Sequence, residues 1–123
     1  MDIDRLTQSI IGLAIEVHRT LGPGLLESSY EACLMYELVE HGIAAEQQSV
    51  LPINYKGKQI DNGYRVDILI PTKLIIELKA VDKILPIHIA QTLTYMKLSN
   101  IQTGLIINFN ASRLTNGIKR LRL

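Results

Sequence analysis

Apolar residues at Ile3, Leu6, Ile10, Leu13, Ala14, Val17 and Leu21 recur at helical spacing, which predicts an amphipathic first helix capped by Asp2 or Asp4. Gly22, Pro23 and Gly24 break it. A second helix is predicted roughly from Leu26 to His41, carrying Tyr30, Cys33, Leu34 and Leu38 and closing at Gly42, a left-handed cap followed by apolar Ile43. The period then changes. SVLPINY, a turn at Lys56-Gly57, NGYRVDILI and KLIIELKA predict three strands joined by hairpins. Pro86 opens a third helix that reaches about Ser99, TGLIINF is a short apolar strand of the buried kind, and SRLTNGIKRLRL reads as an edge strand in preference to a ragged end. The order predicts an α/β layered domain with a mixed sheet. With 123 residues, 47% of them hydrophobic, the chain suits one compact core, so residues 1–123 are expected to form a single domain.

Glu77 and Lys79 interrupt the apolar run of KLIIELKA, and because residues i and i+2 of a strand share a face, both charges point one way while Ile76 and Leu78 point the other. A hairpin centred on Thr72 pairs Ile70 with Leu74, Ile68 with Ile76 and Val66 with Leu78 on an apolar face. The other face then pairs Leu69 with Ile75, Asp67 with Glu77 and Arg65 with Lys79. A slip of one residue would set carboxylates against apolar partners, so the pattern selects this register. Two carboxylates directly across a sheet, with side chains starting about 4.5–5.5 Å apart, destabilise it unless something compensates. Two readings follow from the hairpin alone, with equal weight. Asp67 and Glu77 hold Mg²⁺ with Lys79 beside it, as in a phosphodiester-hydrolysing site. Alternatively, Arg65, Asp67, Glu77 and Lys79 form a charge-balanced cluster on a solvated face.

The net charge of +1 conceals an asymmetry: residues 1–62 carry nine acidic and four basic side chains, residues 63–123 three and nine. A cationic second half suits a phosphate-bearing partner, although solvated charges without a partner explain it equally well. Arg113, Lys119, Arg120 and Arg122 are candidates for following a nucleic-acid backbone, or for guarding an edge strand against aggregation. The single Cys33 has no disulfide partner and sits in an apolar context, so it is expected to be a core thiol of a cytoplasmic protein. The apolar stretch IIGLAIEV follows two aspartates and contains Glu16, so neither a signal peptide nor a membrane span is expected. His18 and His41 read as structural or exposed, and His88 as a capping residue before a phosphate contact.

Asp67, nine residues, then Glu77-Leu78-Lys79 follows the D…(D/E)xK pattern, and the chain resembles the PD-(D/E)XK nuclease superfamily with its restriction-endonuclease-like fold. In GPGLLESSY, Gly24, Glu27 and Tyr30 match the motif of the GxxExxY proteins, a group similar to that superfamily. The resemblance covers about Ile11 to Arg120 and departs from the pattern where Val66, in place of proline, precedes Asp67. It implies a three-layer core with a mixed sheet flanked by helices. It implies that Asp67 and Glu77 are metal ligands, with the Leu78 carbonyl a further candidate, that Lys79 activates or orients water, and that Glu27 completes the metal site. Mg²⁺ is the implied cofactor, with Mn²⁺ as a substitute, and nucleic acid the implied substrate, DNA favoured over RNA. Gln91 and Tyr95, which share one helical face, match a Q-x-x-x-Y motif and are candidate substrate contacts. Tyr30 joins them, with half-buried packing and a satisfied hydroxyl as the alternative. The competing functional class is a non-catalytic nucleic-acid-binding or assembly module. So small a chain, without a separate recognition domain, favours a homodimer or a larger complex.

Overall fold

The computed structural model describes residues 2–123. Helix α1 (Ile3–Leu21) starts where the Asp2 carboxylate accepts the Arg5 N–H at 2.9 Å, and it buries Leu6, Ile10, Ala14 and Val17 along one stripe. Helix α2 (Glu27–Glu40) buries Tyr30, Leu34 and Leu38. It ends as its spacing predicts: Gly42 lies at φ 71°, its N–H donates to the Val39 carbonyl, and the Ile43 N–H donates to Leu38, the paired bonds of a Schellman cap.

Strands β1 (Glu46–Val50), β2 (Ile53–Tyr55), β3 (Lys58–Ile60), β4 (Arg65–Ile70) and β5 (Leu74–Lys79) follow, then helix α3 (Pro86–Ser99), β6 (Thr103–Asn108), a 3₁₀ turn at Leu114–Gly117 and β7 (Ile118–Arg122). The main sheet has the order β1-β4-β5-β6-β7, and its neighbours are antiparallel except for β5 and β6, which run parallel across α3. The tail is therefore an edge strand, as expected. SVLPINY is not one strand. It breaks at Leu51-Pro52, where the proline has no N–H to give to a ladder; Ser49 and Val50 belong to β1, while Ile53–Tyr55 turns through Lys56-Gly57 to pair with β3 in a separate two-stranded ribbon.

Helices α1 and α2 cover one face of the sheet, where Ile10, Leu34 and Leu38 meet Ile68, Ile76, Leu78 and Leu105. On the other face, Tyr95 and Met96 of α3 pack on Ile75, Val66 and Ile101. The result is the three-layer mixed α/β architecture, a five-stranded sheet flanked by helices on both sides. Strands β5 and β6 lie inside it with neighbours on both sides, which explains why both are mostly apolar, β5 apart from Glu77 and Lys79.

Between α1 and α2 the chain turns through Gly22-Pro23-Gly24, with Gly24 at φ 104°, a backbone angle that side-chain-bearing residues rarely adopt. Tyr30 locks this loop. Its hydroxyl donates to the Gly22 carbonyl at 2.6 Å and accepts the Leu25 N–H at 3.1 Å, and its ring stacks on Phe109 with centroids 4.4 Å apart. The ring is fully buried, so Tyr30 contacts no substrate; the candidate assignment is corrected to a loop clamp. Tyr30→Phe strands the Leu25 N–H and the Gly22 carbonyl, and it should lower unfolding free energy by about 1–3 kcal/mol. Urea unfolding at unchanged m-value measures this, and a loss under about 0.5 kcal/mol would deny the clamp.

Candidate active site

Near its turn the β4–β5 hairpin has the predicted register, pairing Ile70 with Leu74, Leu69 with Ile75 and Ile68 with Ile76. The turn is centred on Thr72, at φ 65°. Beyond Ile68 the backbone ladder stops. There the Asp67 N–H donates to Glu77 Oε2 and the Leu78 N–H donates to Asp67 Oδ2, each at 2.8 Å. Each carboxylate thus replaces a carbonyl of the ladder and satisfies an amide of the opposite strand. The expected backbone pairs Val66–Leu78, Asp67–Glu77 and Arg65–Lys79 do not form. Val66 turns to the α3 side and packs with Ile75, while Ile68 packs on the α1–α2 side, so the alternation of β4 breaks at Asp67.

Strand β1 carries the matching irregularity. Gln48, between the pairs Gln47–Ile68 and Ser49–Val66, has φ 52°. Regular alternation would send Gln47 and Gln48 to opposite faces. Instead both amides reach Glu31 of α2, Gln47 Nε2 to Oε2 and Gln48 Nε2 to Oε1, each at 2.8 Å. Gln48 Nε2 also lies 3.3 Å from Asp67 Oδ1, so a buried glutamate is linked to the site through one amide. Neither Glu31 nor Gln48 is singled out by the sequence. A signal exists for Glu31, which is four residues after Glu27 and so on the same helical face.

Glu77 is 6% exposed, and its carboxyl is pushed up to about 8. Burial is the main cause, the charge of Asp67 adds to it, and the Lys79 ammonium offsets only part. Among the described residues, no ion pair joins Arg65 or Lys79 to either carboxylate; Arg65 instead donates to the Tyr64 carbonyl at 3.0 Å. The balanced four-charge cluster is therefore not formed. Lys79, half-buried at the end of β5, pairs in register with Asn108 of β6. Buried Asn108 in turn holds the chain after β5, accepting the Val81 N–H at 3.1 Å and donating to the Val81 carbonyl at 2.8 Å.

Glu27, at the first position of α2, accepts the Ala80 N–H through Oε2 at 3.1 Å, which brings it to the same end of β5 as Lys79. It does not complete a ready-made metal cluster: among the described residues, no three His, Cys, Asp or Glu side chains gather in that way. On α3, Gln91 Nε2 donates to the Tyr95 hydroxyl at 3.0 Å, and burial, followed by the nearby Glu77 charge, raises the Tyr95 phenol. Tyr95 packs with Val66 and Ile75, so the Q-x-x-x-Y pair lies on the α3 side of the sheet, over the neighbours of the two carboxylates. His88 is a helix-capping residue, its Nδ1 accepting the Leu85 N–H at 3.0 Å.

The four basic residues of the tail are divided. Lys119 lines a polar cavity of about 380 Å³ together with Asn108 and Lys83, next to the end of β5. Strand alternation places Arg120 and Arg122 on the opposite face, where Arg122 lies 3.7 Å from Asp4 of α1, and Arg113 is exposed before the 3₁₀ turn. No described helix is long and apolar enough to cross a membrane.

A family model described as the PD-(D/E)XK nuclease superfamily matches residues 4–121. No curated protein and no solved structure matches the chain.

Between the ordinary value of 4.5 and about 8, folded Glu77 keeps a proton that the unfolded chain has released. Its contribution to stability is therefore greatest at low pH and falls as pH rises through that window, by on the order of a few kcal/mol. Glu77→Gln imitates the protonated form and removes this dependence. In chelator, the two proteins should have similar stability below about pH 4.5, and the variant should gain on wild type as pH rises and be the more stable at pH 9. Unfolding curves across that range test this, and a variant less stable than wild type at pH 9 would mean that Glu77 is ionised and compensated.

Proposed function

The chain belongs to the PD-(D/E)XK nuclease superfamily, and on that premise we propose that it hydrolyses nucleic-acid phosphodiesters at Asp67, Glu77 and Lys79. The observation that carries the reading is the carboxylate pair in the opened hairpin, only partly compensated by Lys79 two residues beyond it. One oxygen of each carboxylate is taken by a backbone N–H; Asp67 Oδ1, which also accepts the Gln48 amide at 3.3 Å, and Glu77 Oε1 are the hard oxygen donors that would fit Mg²⁺, or Mn²⁺ in its place. When bound, such an ion supplies an activated water and neutralises charge developing on the phosphoryl group.

The chain's own residues do the rest. Asp67 and Glu77 hold their oxygens at fixed positions because the opposing strand's amides anchor them. Lys79 presents an ammonium donor to a phosphate oxygen or to the attacking water. Glu27 serves as accessory ligand from the N-terminus of α2, and Gln91 with Tyr95 orients the substrate. Lys119, beside Asn108, contacts the backbone of the bound strand, whereas Arg113, Arg120 and Arg122 are secondary contacts at most. The match of Gly24, Glu27 and Tyr30 to GxxExxY supports placing the chain in that group. The proposal extends to a single nuclease-like domain in residues 1–123, acting in the cytoplasm on DNA in preference to RNA, as a homodimer or within a larger complex.

A second reading, a non-catalytic nucleic-acid-binding or assembly module, draws on the lack of a converged three-acid cluster among the described residues. Incubation with single- and double-stranded DNA and with RNA, in Mg²⁺, Mn²⁺ or chelator, separates the two. Metal-dependent cleavage supports the nuclease, and binding without cleavage supports the module. Lys79→Ala should abolish cleavage and leave divalent-ion affinity nearly intact, because an ammonium group is a donor and not a ligand. Calorimetry and cleavage on one preparation check this, and full activity in the variant would remove Lys79 from the chemistry.

A further inference from the structure

On the α3 side of the sheet lies an open cleft of about 330 Å³ whose walls include Tyr64, Tyr95, Gln91, Ile53, Ile87 and Leu98. Two large apolar residues of the lining are exposed: Tyr64, in the segment leading into β4, is 44% exposed, and Ile87 of α3 is 66% exposed. Large apolar groups lining one concavity mark a binding site more often than do the same groups scattered singly. The ring centroid of Tyr64 lies 6.1 Å from that of Tyr95, with the planes inclined at 49°. Tyr95 packs with Val66 and Ile75, the residue before Asp67 on β4 and the residue two before Glu77 on β5, so the cleft wall adjoins the candidate active site. The Tyr64 carbonyl is fixed on both sides, accepting the Leu51 N–H at 3.0 Å and Arg65 Nη1 at 3.0 Å, so the ring is carried on a held backbone.

We infer that this cleft is a nucleobase subsite: Tyr64 stacks on an unpaired base of the nucleotide next to the bond to be cleaved. The inference rests on the nucleic-acid reading of the site and deepens it, naming single-stranded or frayed substrate as the class that fits. An exposed aromatic face accepts any base, because every base has a π-face, and it gives most to bases that are not already stacked in a duplex. The Gln91 amide, held by its bond to Tyr95, adds one polar group to otherwise apolar walls. Arg65, exposed and next in sequence to Tyr64, places a cation where the phosphate joined to that base would pass. Aromatic ring, neighbouring cation and adjacent acidic site together match the chemistry of one nucleotide, its base in the cleft and its phosphate toward Lys79.

The chain contains no tryptophan, so Tyr64→Trp introduces a single indole, whose emission is distinct from that of the remaining tyrosines, at the proposed stacking position. In chelator, where no cleavage occurs, its emission should be quenched by a twelve-residue thymidine oligonucleotide. It should respond far less to an abasic strand with the same number of phosphates, or to a blunt duplex. Tyr64→Leu, which keeps an apolar side chain without a π-face, should weaken binding of the labelled oligonucleotide about tenfold, the scale of one base–aromatic stack. Equal quenching by the abasic strand, or oligonucleotide binding unaffected by Tyr64→Leu, would overturn the subsite. A change in emission on raising protein concentration alone would overturn it too, since the cleft would then be a contact between copies of the chain. Wild-type cleavage in Mg²⁺, measured in parallel, keeps the two ideas apart. Cleavage without base-dependent quenching sinks the subsite alone, quenching without cleavage sinks the nuclease reading alone, and the absence of both sinks both.

Discussion

The exchange of backbone amides between Asp67 and Glu77 is the constraint on which the rest of the site depends. A hairpin that kept its ladder to the end would satisfy its own N–H and C=O groups and leave the two carboxylates repelling each other above the sheet. Here the strands part, and each carboxylate anchors to the other strand at 2.8 Å. The pair is thereby held close in a place where water is scarce, which is why Glu77 retains a proton to about pH 8. The fold thus maintains a concentrated demand for positive charge that neither Arg65 nor Lys79 meets by an ion pair among the described residues.

Elements on both sides of the hairpin keep that opening in place. On the edge, β1 departs from regular geometry at Gln48 and ties Asp67 to Glu31. In the centre, parallel pairing with β6 sets Asn108 beside Lys79, and Asn108 then pins Val81. Above, the loop clamped by Tyr30 sets where α2 begins and so delivers Glu27 to Ala80. The spacing of Gly24, Glu27 and Tyr30 thereby acquires a physical meaning. Gly24 permits the turn, Tyr30 closes it, and Glu27 is the side chain that the turn aims.

Much of this was legible in the sequence because burial imposes period. The three helices, the buried strands and the hairpin register as far as Ile68–Ile76 follow from apolar spacing alone. Strand β1 was partly missed because EQQSV lies on an exposed edge, where no apolar alternation is needed. Register beyond Ile68 failed for a different reason: side chains took over the ladder, and a pattern of side-chain polarity does not reveal which backbone groups they will satisfy. The sequence leaves Tyr30 between a substrate contact and a packing residue because its partner Phe109 is 79 residues away, and only the tertiary structure shows that the ring is enclosed. Gln48 carries no readable signal, since an ordinary glutamine at positive φ is forced by its surroundings.

The central proposal is that Asp67 and Glu77 together form one acidic site for a divalent cation, which would displace the proton that burial holds on Glu77. Titration calorimetry of Mg²⁺ binding at pH 7, repeated in two buffers of different ionisation enthalpy, measures the protons displaced as the ion enters. Wild type should release close to one proton for each ion bound, and Glu77→Gln should bind more weakly and release almost none. Binding without proton release, or a variant indistinguishable from wild type, would contradict the account.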